Sequence, residues 1–173
     1  MKKNKNFLKK LTAGILGFVM TLGVGAAGYS ASANETKALS SPYTMTIDSS
    51  ASGSNNVHWT ATSVTSLTYG DITWSTNVVG TSSVTSSKTY AQIGSKSSPA
   101  TKVELSTTGF GGKKITSVAV TCYCMSNEGP TLTVKAGSTT FINASALTKG
   151  TNTRMPSTSG VSATLGSSDA VTI

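Results

Sequence analysis

Tyr43, Met45 and Ile47 alternate with Thr44, Thr46 and Asp48, and this period of two predicts a half-buried strand over YTMTID, closed by the turn SSASGSNN. The same alternation recurs along the chain. VHWTAT places Val57, Trp59 and Ala61 on one face and His58, Thr60 and Thr62 on the other; ITW pairs Ile72 with Trp74, after loop residues that include Tyr69-Gly70-Asp71. A serine-threonine loop over 80–88 leads to TYAQIG, with Ala91 and Ile93 on one side and Tyr90 and Gln92 on the other. KVELS, bounded by Pro99, turns Val103 and Leu105 inward and Lys102 and Glu104 outward. KITSVAVTCYCM is the longest strand of the set, and LTVKA joins TTFIN through a tight Gly137-Ser138 turn. Ala170 to Ile173 reads as one more strand, cut short. Seven to nine short strands with turn chemistry between them, and no helical periodicity, predict an all-β antiparallel sandwich of the jelly-roll or immunoglobulin-like kind.

The first thirty-three residues follow a different pattern. MKKNKNFLKK carries five lysines, an uncharged apolar run extends from Leu11 to about Ala27, and Ala31-Ser32-Ala33 has the small-residue form of a cleavage site. These are the three regions of a secretory signal peptide, and Gly14, Gly17, Gly23 and Gly25 break the run as a membrane anchor. The expected organisation is therefore a cleavable leader over 1–33, a polar lead-in over 34–42 and a single domain over 43–173, with no membrane segment after cleavage. Without the leader lysines the full balance of 14 bases and 6 acids falls to 9 against 6, spread along the chain except for Lys113-Lys114. A nucleic-acid partner is not expected from charge so dispersed. Serine and threonine dominate the remainder, while Leu, Glu and Lys are scarce, which again favours strands and turns over helices.

Chemistry-bearing residues are few. Cys122 and Cys124, the two cysteines of the chain, stand one residue apart and share a stripe with Val118 and Val120. Extended geometry separates such a pair by roughly 6.5 Å, beyond the Cβ spacing of about 3.5–4.5 Å that a disulfide needs, so a bond would require a bend. Two thiols and the single His58 do not make a closed zinc site. The thiols are expected in the core, with a strained disulfide as the alternative, and neither metal nor cofactor is expected. His58 lacks a GxSxG partner, and Glu35, Asp48, Asp71, Glu104, Glu128 and Asp169 lie apart, with nothing to select a glycosidase pair. GFGGKK over 109–114 departs from the GxxxxGK[ST] spacing and reads as a turn before the Ile115 strand. No enzyme activity is expected from this set.

Aromatic side chains carry the remaining signal. Trp59 and Trp74 have the spacing of core residues. Tyr123 alternates with the Val118–Cys122 stripe, so its ring belongs on the opposite, outer face, and Tyr90 occupies a similar position. Tyr123, Tyr90, Tyr69 and Trp74 are the candidate ligand contacts, since flat rings serve as platforms for the apolar faces of sugars.

VHWTATSVTSLTYGDITW, YAQIGSKSSPATKVELST, KKITSVAVTCYCMSNEGPTLTVKAG and TLGSSDAVTI together resemble a module of secreted and surface proteins of Firmicutes. In that module a QIGS…P strand pair precedes an ItsV.V strand and a TLTV.AG hairpin, in a jelly-roll-like sandwich similar to carbohydrate-binding modules. The resemblance covers most of the domain, and its motifs are structural. It implies a secreted, cell-surface, noncatalytic binding or adhesion module for glycans or cell-wall polysaccharide, and a further strand of the type I.sI.V after the last motif. A structural spacer or stalk is the alternative, a small hydrolase the least favoured. A sheet edge left open could also pair with a protein partner.

Overall fold

The computed structural model describes residues 15–25, 42–48, 56–85, 91–125 and 129–173, with 15–25, 48 and 56 given by backbone alone. In chain order its strands are β1 (Ile15–Gly25), β2 (Tyr43–Asp48), β3 (Asn56–His58), β4 (Ser66–Tyr69), β5 (Ile72–Val79), β6 (Val84–Thr85) and β7 (Gln92–Ile93). They continue with β8 (Lys102–Thr107), β9 (Lys114–Cys124), β10 (Thr131–Ala136), β11 (Thr139–Ala146), β12 (Asn152–Pro156), β13 (Ala163–Thr164) and β14 (Val171–Thr172). No helix occurs among the described residues. One sheet follows the order β12-β9-β1-β2-β3, with β13 on β9 and β6–β7 attached through β1; the other runs β11-β10-β14-β8-β5-β4. Residues from both sheets form a single buried cluster, the arrangement of a two-sheet sandwich.

Alternation placed β2 and β9 correctly because each has one buried face. Val118, Val120, Cys122 and Cys124 are all buried on β9, as are Tyr43, Met45 and Ile47 on β2. Trp74 at the start of β5 is 0% exposed, and its indole N–H donates to the Tyr43 hydroxyl at 3.2 Å, joining the two sheets through the core. Tyr43 and Phe110 meet edge to face at 5.1 Å, and Phe110 reaches Trp74 at 6.0 Å. The glycine-rich 109–112 segment is a turn that seats Phe110 in this cluster, and its Gly112 N–H donates to the Leu165 carbonyl.

Several elements differ from the expectation. The VHWTAT strand ends at His58, and the Trp59 indole N–H instead donates to the Ala61 carbonyl at 3.1 Å. β3 pairs with β2 in parallel, Ile47 opposite Val57, where antiparallel pairing was expected throughout. β5 continues to Val79 because β4 pairs with its first half and β8 with Ser75–Val79, so its serines and threonines are held by ladders and not by burial. β4 joins β5 through a two-residue hairpin with Gly70 at φ 59 in the first position, where a left-handed residue is required. β12 and β13 bury few apolar side chains and gain their order from pairing with β9.

At the amino end, the backbone of Ile15–Gly25, inside the segment expected to be a leader, lies between β2 and β9 and is antiparallel to both. The rest of 1–33, the lead-in over 34–41 and Tyr90 fall outside the described residues. At the other end β14 sits between β10 and β8, and Ile173 extends it by exchanging both backbone hydrogen bonds with Leu105.

Candidate functional site

β12 is an edge strand of its sheet, which accommodates Pro156 at its end. Its one buried side chain, Met155, faces Val120 on β9 and fixes the register. That register sets Asn152 opposite Tyr123 and Arg154 opposite Thr121. Directly paired antiparallel residues share a face with Cβ atoms about 4.5–5.5 Å apart. The outer face of β9 and β12 therefore presents a half-buried Tyr123 ring and Thr121 hydroxyl beside the exposed Asn152 amide and Arg154 guanidinium. Gly150, at φ 75, donates its N–H to the Cys124 carbonyl and leaves its open Cα beside the ring: a Cβ there would lie 3.9 Å from the Tyr123 hydroxyl oxygen. The patch combines an aromatic face, a planar amide, a hydroxyl and a fixed positive charge. Such groups can stack on a pyranose and hydrogen-bond its hydroxyls, and Arg154 can pair with an anionic substituent.

Among the described candidate rings, Trp74 and Tyr69 do not join this patch. Trp74 is fully buried, which makes it a core residue with no face to offer a ligand. Tyr69, on β4 of the opposite sheet, is half-buried with its ring edge-on to Tyr43 at 5.6 Å. Asn152 and Arg154 are the residues that sequence reading missed. Their only signal was the short alternation N-T-R-M-P, in which a single apolar side chain marks the inner face.

Cys122 and Cys124 are both buried, 1% and 0% exposed, and no disulfide joins them. Burial, with a smaller contribution from Cys124, pushes the Cys122 thiol up to about 11, so it stays protonated at neutral pH and is a poor nucleophile. His58 is half-buried on β3. Among the described residues no group of three or more His, Cys, Asp or Glu side chains is placed to hold a metal ion.

A cleft of about 410 Å³ lies beside Ile173, lined by residues of β8 and β10, the strands that flank the short β14. Its floor is apolar, with Trp59, Ile93 and Leu132, and at its rim Lys102 pairs with Glu104 at 2.7 Å. Neither Tyr123, Tyr69 nor Trp74 lines it. Sequence periodicity had no means of showing this cleft, because two sheets and a strand end create it jointly.

No family model, curated protein or solved structure matches the chain.

Proposed function

We propose that this is a secreted, noncatalytic binding module of a Gram-positive cell surface, exported by the leader over 1–33, which recognises glycan or cell-wall polysaccharide. The resemblance to jelly-roll, carbohydrate-binding-like domains of Firmicutes belongs to this reading. The observation that carries it is the cross-strand set Tyr123, Asn152, Thr121 and Arg154 on one outer sheet face. A flat strand surface of this kind suits a polymer passing across it, and stacking on a ring tolerates chain length and linkage better than an enclosed pocket does.

Binding of the purified protein to a glycan array and to isolated wall polysaccharides tests the reading. Tyr123→Ala is expected to weaken retention about tenfold or more, the equivalent of one lost stacking contact of about 1.4 kcal/mol. Its melting curve should stay close to that of the parent. A folded parent protein that retains none of these polymers would reject glycan recognition and leave the spacer role.

A further inference from the structure

The central position between β2 and β9 has consequences for the secreted form. In strand order β1 is the link between β2–β3 and the rest of its sheet. Phe18 is in register between Ile47 and Cys122, Met20 between Met45 and Val120, and Leu22 between Tyr43 and Val118. Each of those six flanking side chains is buried. Cleavage after Ala33 would take β1 away. β2 and β9 would then stand about two strand spacings apart, roughly 9.6 Å, each with an unpaired edge and with buried side chains newly open to water. An apolar slot of that width between two free strand edges accepts one extended chain.

We propose that, once the leader is removed, this slot is a strand-acceptor site filled by an extended segment of another polypeptide. The inference rests on the leader being cleaved. The seated strand defines the occupant: antiparallel to both β2 and β9, up to about the 11 residues of β1, uncharged, and apolar at the alternate positions of Phe18, Met20 and Leu22. Intervening positions such as Val19 and Thr21, in register with Thr46 and Thr121 or Thr44 and Ala119, tolerate polar residues. Residues 34–173 offer no such segment outside the described residues. The stretches 34–41, 49–55, 86–90 and 126–128 contain no run of three alternating apolar residues, and Glu35 and Lys37 interrupt the first. Backbone pairing on both sides would supply affinity, and the three apolar positions in register with buried residues would supply selectivity.

The test begins with protein exported by a secreting host, whose intact mass shows whether it starts at Asn34. A peptide with the sequence of residues 15–25, flanked by lysine pairs for solubility, is then added and hydrogen exchange is followed. The expected result is a one-to-one complex in native mass spectrometry, slower exchange over 43–47 and 115–124, and a higher melting temperature. The same peptide carrying Met20→Lys should bind at least tenfold more weakly. Secreted protein that is unfolded alone and folds on adding the peptide would support the proposal equally. A mass that still includes residues 1–33 would overturn the leader reading and, with it, the need for a partner. A chain beginning at Asn34 that binds neither peptide, binds both alike, or already protects 43–47 and 115–124 would overturn the acceptor site alone.

Discussion

Replacing Trp74 with phenylalanine isolates what joins the two sheets. The ring at 74 keeps its aromatic body, but the 3.2 Å hydrogen bond to the Tyr43 hydroxyl is lost. Tyr43 retains a weak outlet for its proton, the Met45 sulfur at 3.7 Å, yet its oxygen no longer accepts a bond in a buried site. Loss of a hydrogen bond between buried groups costs about 1–2 kcal/mol. The smaller ring leaves space beside Phe110, adding on the order of 1 kcal/mol. The sum, about 2–3 kcal/mol, corresponds to a fall in melting temperature of about 6–12 °C for a domain of this size. Thermal melts of Trp74→Phe, Tyr43→Phe and the double variant measure it. The double variant should cost less than the two singles added together, with a coupling of about 1 kcal/mol, because each single change orphans the partner left behind. Polysaccharide binding should be untouched throughout. Additive losses, or a Trp74→Phe change below about 0.5 kcal/mol, would refute the assignment of this pair as the link between the sheets.

Other outcomes follow from the same structure. Burial holds the Tyr43 hydroxyl up at about 12, against a smaller opposing effect from the Trp74 hydrogen bond, and the Cys122 thiol at about 11. Both groups keep their protons more tightly folded than unfolded, so their contribution is complete below about pH 9 and is lost as pH rises toward 11–12, which melts between pH 8 and 12 will show. A thiol reagent at pH 8 should label neither cysteine until denaturant opens the fold; prompt labelling of either would contradict the buried stripe on β9. Gly111→Ala should destabilise by about 1–3 kcal/mol, since a Cβ there would meet the Ser167 backbone at 3.0 Å, and urea unfolding measures the loss. Gly112→Ala, with open space but φ 74, should cost about 1–2 kcal/mol from backbone strain alone.

How far the sequence reached depended on which force ordered each segment. YTMTID coincides with β2, and KITSVAVTCYC with β9 but for the final methionine, because burial of one face writes a period of two into the residues. The hairpin through Gly137, at φ 57, was readable for the same local reason: a tight turn there needs a residue tolerant of the left-handed region. β4, β12 and β13 left weaker marks, since pairing with neighbouring strands orders them and hydrogen bonding to a neighbour is nearly blind to side-chain type. The place of Tyr123 on the outer face was legible from alternation on β9. Its companions Asn152 and Arg154 come from a strand 29 and 31 residues further along, and only the register of β12 brings them beside it. The ring assignments divided on the same ground: Tyr69 and Trp74 belong to the core or its margin because of how β4 and β5 pack against β2, a relation no single strand records.

The most direct measurement is a titration of isotope-labelled protein with the wall polysaccharide, followed by backbone amide shifts. Recognition by the outer face of β9 and β12 predicts concentration-dependent shifts at Thr121 to Tyr123 and Lys149 to Arg154, with the midpoint moved about tenfold or more to higher polymer by Tyr123→Ala. Shifts confined to Lys102–Leu105 and Thr131–Lys135 around the inter-sheet cleft, or no shifts at saturating polymer, would contradict it.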